Sequence, residues 1–520
     1  MQLTQMIKRA AQIQPNGTAT IYGERHHSWQ QLQQRVARLA AVLQASGVSE
    51  GDRVAVLALN SDRYYEYFFA VAWAGAVLVP LNIRWSIKEN VYSLQDSGAA
   101  VLVVDDSFAA AAEQVRHQVD ALHTCLYIGD KATPAGMINS EQALATTSAI
   151  DDQCRGKEQL AGIYYTGGTT GFPKGVMLSH NNLWVSSVSA ALGLEMNQPG
   201  MRYLHAAPMF HAADIAMSYA STICGATQVF IPAFACQPLV AAIAAHQITH
   251  TLLVPTMITM LLSSGELQGA DISSLQSVVY GASPMPEGTL RQAMAQMPKV
   301  AFMQAYGQTE LAPIATILPS EYHVLEGPKA GKIRSAGRAG VCVEVEVVDP
   351  LHRPCAVGTV GEVRVRGGNT MMGYWNKPTE SEAVMIDGWI LTGDAGYLDQ
   401  DGFLFLVDRV KDMIVTGGEN VYSAEVESAL SRHDAVSEVV VIGIPSEQWG
   451  EQVHAIVRLQ DGQTVSEAAL IAFCQQQIAH YKSPRSVEFR SDPFPMTGAG
   501  KLRKADLRAP YWQGHRRRVN

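Results

Sequence analysis

No pair of cysteines in the chain is spaced as C-x-x-C. The seven cysteines, Cys125, Cys154, Cys224, Cys236, Cys342, Cys355 and Cys474, are odd in number and widely scattered, which speaks against a disulfide framework or a redox dithiol and for reduced, packed thiols. No apolar run approaches the roughly 20 residues that a membrane-spanning helix needs. The opening MQLTQMIKRAAQIQ places Leu3, Met6, Ile7 and Ala10 at helical spacing and contains no uninterrupted apolar signal region. A cytoplasmic location is expected. An excess of positive charge is also missing: the formal net charge is −9, which argues against general affinity for nucleic acid. The tail His515 to Asn520 carries three arginines, short of the about four to eight basic residues that hold a segment to an anionic membrane, so membrane association is expected to be peripheral at most. Repeats and low-complexity tracts are absent, and the Ala/Gln-rich stretch 107–120 reads as a helix. Nothing in the sequence marks an oligomeric state.

What is present begins with size. A chain of 520 residues exceeds the roughly 250 to 300 residues at which single cores stop growing, so at least two domains are expected. Short apolar runs (RVAVLAL at 53, AVLVPL at 76, AAVLVV at 99, TQVFI at 227, HTLLVP at 250, SVVYGA at 277) alternate with longer helical patterns. That rhythm predicts an α/β fold with helix-covered, largely parallel sheets. Strict alternation then takes over in VEVEVVD and GEVRVRG, which suits strands with one solvated face. The expected organisation is an N-terminal body over 1–408, with a β-rich subdomain at about 335–408, and a small mobile α+β domain over 409–520. In the last module Ser423 is expected to cap a helix bearing Glu425 and Glu427, with EVVVIGI and HAIVRL as separate strands.

The most informative segment is YTGGTTGFPKGV, Tyr165 to Val176. Glycines at 167, 168, 171 and 175 let backbone N–H groups approach an anion closely. Thr166, Thr169 and Thr170 add hydroxyl donors, and Lys174 adds a mobile positive charge. The run follows the apolar stretch AGIYY, read as a buried strand, and precedes a helical segment opening near Ser179. It does not satisfy the Walker A pattern, because Pro173 precedes Lys174 and Gly175 follows it. A glycine loop at a strand end is nevertheless a ready phosphate site.

Five further islands follow in order: PMFH at 208, QAYGQTE at 304, LTGD at 391, DRVKD at 408 and PMTGAGK at 495. With the glycine segment, this order resembles the adenylate-forming superfamily of acyl-CoA synthetases, peptide-synthetase adenylation domains and luciferases, over nearly the whole chain. The chemistry of each island agrees, since activating a carboxylic acid with ATP requires holding a triphosphate, neutralising its charge and steering a carboxylate onto the α-phosphorus. Tyr306 offers a flat face for adenine, Thr309 a hydroxyl for phosphate, and Glu310 a hard oxygen ligand for Mg²⁺. The resemblance implies those same roles and extends nucleotide binding to Ala305 and Gly307, and to Gly281, Ala282 and Ser283 of YGASPMP. It implies further that Asp394 and Arg409 bind the ribose or phosphate, and that Lys501 bridges the attacking carboxylate and the α-phosphate.

By the same resemblance the C-terminal module swings between two half-reactions. Lys411 matches the hinge position, and Gly417, Gly418, Glu419 and Asn420 match a loop that replaces Lys501 for the thiol step. His211 resembles the gate of the acid pocket, next to Phe210; a hydrogen-bonded core histidine is the other reading. No aspartate occurs in Phe210-His211-Ala212-Ala213, which disfavours an α-amino acid substrate. Two departures stand out: Gly168 where the family commonly has serine, and Asp408 where it usually has glycine.

The catalytic candidates are thus Thr166, Lys174, His211 and Lys501, with ATP, Mg²⁺ and coenzyme A implied. The expected activity is an AMP-forming acid:CoA ligase. Its motif variants TGGTTGFPKGVMLSH, PMFH and YGASPMP resemble bacterial fatty-acyl-CoA synthetases, which implies a medium or long fatty acid. Aryl or short substituted acids, and transfer to a carrier protein, remain open on the same scaffold. A silent nucleotide sensor is disfavoured by the joint presence of Lys174, Glu310, Asp394, Arg409 and Lys501.

Overall fold

The computed structural model describes residues 1–167, 172–496 and 502–513. Contacts divide the chain into two compact units, Met1–Val345 with Val365–Ile390, and Glu346–Arg364 with Leu391–Asn520.

In the first unit the apolar runs form two large sheets, as their period and length predict. Among the described residues one sheet has nine strands, in the order Arg338–Ala339, Ile314–Leu318, Ala301–Gly307, Ser277–Gly281, His250–Leu252, Arg202–His205, Thr227–Phe230, Thr18–Tyr22 and Arg25–Ser28. Its central members run parallel, with Val278 opposite Phe302 and Thr251 opposite Val278. The other has eight, in the order Gly373–Tyr374, Lys174–Ser179, Leu160–Thr166, Val77–Pro80, Arg53–Leu57, Val101–Val104, Thr124–Tyr127 and Ile138–Asn139. Continuous Val/Leu runs such as Val101–Val104 are buried along their whole length, because helices cover both faces of a parallel sheet. Leu204, Val229, Ile258 and Phe302 centre the core on the first sheet, and Ala55, Val79, Leu102 and Ile163 centre it on the second. The N-terminal amphipathic pattern folds as the helix Thr4–Ile13, burying Met6, Ile7 and Ala10.

A β-rich stretch follows, with strands Val343–Val348, Gly361–Gly367, Met385–Ile386, Trp389–Leu398 and Leu404–Arg409. The division between the two units passes through it. The C-terminal region is α+β: the strands Val436–Ser446 and Gly450–Leu459 form a long antiparallel pair, flanked by the helices Ser423–Leu430 and Glu467–Gln477. No helix among the described residues is long and apolar enough to cross a membrane.

One local expectation is corrected. Ser423 is not the cap of its helix but the first helical residue, after Tyr422, which provides no side-chain cap. The Asp408 carboxylate takes over, its Oδ2 accepting from Ser423 N at 2.5 Å and from Ser423 Oγ at 2.6 Å. An anionic acceptor at a helix start makes a stronger hydrogen bond than a serine hydroxyl and also complements the helix dipole.

Candidate active site

The glycine segment lies at the turn of an antiparallel hairpin. Strand Leu160–Thr166 pairs with Lys174–Ser179, and Thr166 stands opposite Lys174. Thr166 Oγ1 donates to Lys174 O at 3.5 Å. The sequence reading led from the segment directly to a helix near Ser179. That helix, His180–Gly193, is capped by Ser179 with Asn182 completing the box, but a strand intervenes. Its residues Val176, Met177 and Leu178 form a short apolar run, which suits a buried strand as well as a helix start. Gly167 is exposed; Gly168, Thr169, Thr170 and Gly171 lie outside the described residues, as does Lys501.

Lys174 and Glu310 meet through a residue that sequence reasoning missed. Tyr374, in the short strand Gly373–Tyr374, pairs with Val176 beside Lys174. The Lys174 ammonium lies 5.0 Å from the Tyr374 ring centroid, a cation–π distance. The hydroxyl of Tyr374 donates to Glu310 Oε1 at 2.8 Å. Burial, reinforced by the neighbouring Glu310 carboxylate, pushes the Tyr374 phenol well above its ordinary pKa, so it stays protonated as a donor. Met371 N donates to Glu310 O at 2.9 Å and Trp375 N to Gly175 O at 2.7 Å, which ties the segment 371–375 to both islands. The available signal was the sequence Gly373-Tyr374-Trp375, a glycine before two aromatics.

Glu310 occupies a 3₁₀ turn, Thr309–Leu311, just past the strand Ala301–Gly307. This strand and Ser277–Gly281 are parallel neighbours with Gly281 opposite Ala305. Their carboxyl ends therefore bring Gly281, Ala282, Ser283, Ala305, Tyr306, Gly307, Thr309 and Glu310 to one edge of the sheet, where ligands of open α/β sheets bind. Two glycines are required there by close approach: a Cβ on Gly281 would lie 2.1 Å from Ala305 O, and one on Gly307 1.8 Å from Pro313 O. Ala282 sits at φ +65°, an unusual left-handed conformation for a residue with a side chain, of the kind that concentrates at functional sites.

His211 precedes the helix Ala212–Ile223 and makes no side-chain cap. It is half-buried, its ring 4.2 Å from that of buried Phe210. The fully buried histidine of this region is His205, whose Nδ1 lies 2.8 Å from Asp214 Oδ2 and Nε2 3.0 Å from Gln228 Oε1. Asp214 is thereby committed to the core. The loop to His211 hangs on Asn60, another residue missed from sequence: Asn60 Nδ2 donates to Ala207 O at 2.9 Å, and Asn60 Oδ1 accepts from Met209 N at 2.9 Å. Asn60→Ala leaves both groups buried without this partner and is expected to cost about 1–3 kcal/mol per unsatisfied group, measurable as a lower urea midpoint.

In the second unit Asp394 and Arg409 are directly opposed on a hairpin, with Arg409 Nε 2.7 Å from Asp394 Oδ1. Thr392 orients them, its Oγ1 accepting from Asp394 N at 3.1 Å and its carbonyl from Arg409 Nη1 at 3.2 Å. Lys411 lies in the following 3₁₀ turn, Val410–Asp412, and is exposed. Gly417 and Gly418 form the turn between strands Ile414–Thr416 and Glu419–Val421 at φ +62° and +88°. Gly417 is doubly constrained, since a Cβ there would meet the Trp449 ring at 2.9 Å. Glu419 is exposed.

A glycine hairpin carrying a lysine is thus linked through one tyrosine to a carboxylate at the carboxyl edge of a parallel sheet. The family described as "AMP-binding enzyme" matches residues 7–375, and "AMP-binding enzyme C-terminal domain" matches 425–501. The chain belongs to this family, in the acyl-CoA synthetase branch of the adenylate-forming superfamily. It is 37% identical to a feruloyl-CoA synthase of Amycolatopsis sp, over 96% of this chain and 97% of the relative. It is 35% identical to the fatty acid–[acyl-carrier-protein] ligase ScoC of Streptomyces coeruleorubidus, over 100% and 98%. Its fold matches the o-succinylbenzoate CoA synthetase MenE of Bacillus subtilis in complex with its acyl-adenylate intermediate, with a TM-score of 0.84, 30% identity, and 96% and 97% of the two chains covered.

Proposed function

We propose that the chain joins a hydrophobic carboxylic acid to coenzyme A at the expense of ATP. The substrate carboxylate attacks the α-phosphorus, giving acyl-AMP and pyrophosphate; the thiol then attacks the acyl carbon and AMP leaves. The observation that carries this reading is the Lys174–Tyr374–Glu310 linkage, a cation and a carboxylate held by one buried phenol. Lys174, Thr166 and the backbone of the glycine segment hold phosphate oxygens. Tyr306 stacks on adenine between the small residues Gly281 and Ala305, Thr309 adds a phosphate donor, and Asp394 with Arg409 binds the ribose. Mg²⁺ takes one or two carboxylates plus substrate phosphates, and Glu310 offers that hard oxygen set; the ion would neutralise charge on the triphosphate. Lys501 supplies the cation for the first step. The mobile module starts near 409 and pivots at Lys411, after which Gly417, Gly418 and Glu419 serve the thiol step. Reliance on ATP and coenzyme A supports a cytoplasmic site of action.

The acid is proposed to be a medium or long fatty acid, a reading supported by the motif variants and by the fatty acid ligase ScoC among the relatives. An aryl acid is favoured by the similarity to a feruloyl-CoA synthase. Both are hydrophobic and neither needs an amino-group partner, in keeping with the commitment of Asp214 to His205. A screen of coenzyme A-dependent AMP formation over straight-chain acids from two to about eighteen carbons, cinnamic-type acids and arylacetates separates them. Turnover confined to one class assigns the substrate; AMP formation with none of them would reject the ligase reading, and transfer only to a carrier phosphopantetheine would replace coenzyme A by a carrier protein.

Tyr374→Phe keeps the ring beneath Lys174 and removes the hydrogen bond to Glu310. Groups that orient a metal-binding carboxylate are typically worth about 10–100-fold. The variant is expected to need correspondingly more Mg²⁺ for half-maximal pyrophosphate exchange, with the acid KM unchanged.

A further inference from the structure

The helix Ile87–Ser97 is started by a capping box between Ser86 and Glu89 and lies outside every island considered so far. Lys88, Tyr92 and Asp96 recur at four-residue spacing and so share one face. That face touches both sides of the glycine segment. On the entering side, Tyr165 OH donates to Asp96 Oδ2 at 2.6 Å. On the leaving side, the Phe172 ring stacks on Tyr92 with centroids 4.4 Å apart and planes inclined by 16°, while the Lys88 ammonium lies 5.7 Å from the same ring. The carbonyl of Asp96 also accepts from Trp375 Nε1 at 2.9 Å and Asn376 Nδ2 at 3.2 Å, next to Tyr374. Phe172 is 46% exposed, so burial does not explain an aromatic ring at that position. Its stack on Tyr92 does.

We propose that Tyr92 and Phe172 are positioning residues for ATP, clamping the leaving end of the glycine segment to the helix face that already holds its entering end through Asp96. The clamp fixes Phe172, and thereby where Lys174, two residues further along, meets the triphosphate. This rests on the nucleotide reading of the segment given above. An aromatic pair of this geometry contributes beyond its buried area, and its loss is expected to fall on ATP, because the pair touches the glycine segment and none of the residues proposed for the acid or thiol steps.

The test uses the full chain with its best acid, reading acid-dependent pyrophosphate exchange, calorimetric binding of ATP, and the thermal midpoint. Tyr92→Ala and Phe172→Ala are each expected to raise the ATP KM and Kd about threefold to tenfold. The double variant should go no further than either single one, since both remove the same contact. The acid KM, and thioester formation from supplied acyl adenylate, should stay at wild-type values. Tyr92→Phe, which keeps the ring, should restore the ATP KM, whereas Phe172→Leu, which stays apolar without a ring, should not. An unchanged ATP KM in the alanine variants, additive effects in the double variant, or an equal rise in the acid KM would overturn the clamp. A wild-type chain without exchange on any acid would instead sink the nucleotide reading itself.

Discussion

Lys501→Ala is expected to lower acyl-adenylate formation by roughly a hundredfold to a thousandfold, the scale on which a pre-positioned charge stabilises a transition state. Thioester formation from supplied acyl adenylate should survive largely intact. Negative charge builds between the attacking carboxylate and the α-phosphate in the first step, whereas the second expels AMP from a mixed anhydride already formed. Lys501 lies outside the described residues, but its neighbours are well anchored in the second unit. Met496 and Leu502 pair as an antiparallel bridge, and Arg503 N donates to Pro495 O at 2.9 Å. Lys504 Nζ lies 2.7 Å from Glu427 Oε1. Alanine at 501 leaves those anchors in place, so the variant should fold normally. Single-turnover measurement of the two half-reactions decides the matter, and equal loss in both would refute the assigned role.

Lys411→Pro should do the opposite. Proline fixes φ near −65° and pushes the residue before it toward extended conformations, so a turn proposed to change its dihedrals would be locked. The turn Val410–Asp412 is closed by Met413 N donating to Arg409 O at 3.1 Å, and Arg508 pairs with Asp412 at 3.1 Å. Adenylation should remain near wild type while thioester formation and overall turnover fall by about tenfold or more, as expected when a gating motion limits the rate. Unchanged overall turnover would count against rotation at this position.

The parts of the fold that could be read from sequence were those with one dominant period. The runs at 53, 76, 99, 227, 250 and 277 all contain strands of the two large sheets, because a short, mostly apolar run between turn signals has few other places to go. The strand Lys174–Ser179 escaped notice since its apolar residues lead straight into a well-capped helix. The residues proposed for the site stood out within the islands by their chemistry, and the structure brings Glu310, Thr309 and Tyr306 to one strand end and sets Asp394 opposite Arg409. Tyr374 and Asn60 were not visible. Each acts on a partner far away in the sequence, and a lone tyrosine or asparagine looks the same whether it orients a carboxylate or lies in a turn. The pair His205 and Asp214 was hidden for a related reason: strand and helix carry them, and only packing brings the imidazole to the carboxylate.

Asp408 and Ser423 stand on opposite sides of Lys411 along the chain, yet their side chains are bonded. If the backbone pivots at 411, those two hydrogen bonds act as a catch that belongs to one orientation of the module and must open for the other. A charged hydrogen bond of this kind contributes about 1.5–3 kcal/mol, enough to tilt a two-position equilibrium by roughly ten- to a hundredfold. The aspartate that stands where the family usually has glycine would then be the spring that decides at which station the enzyme rests between turnovers.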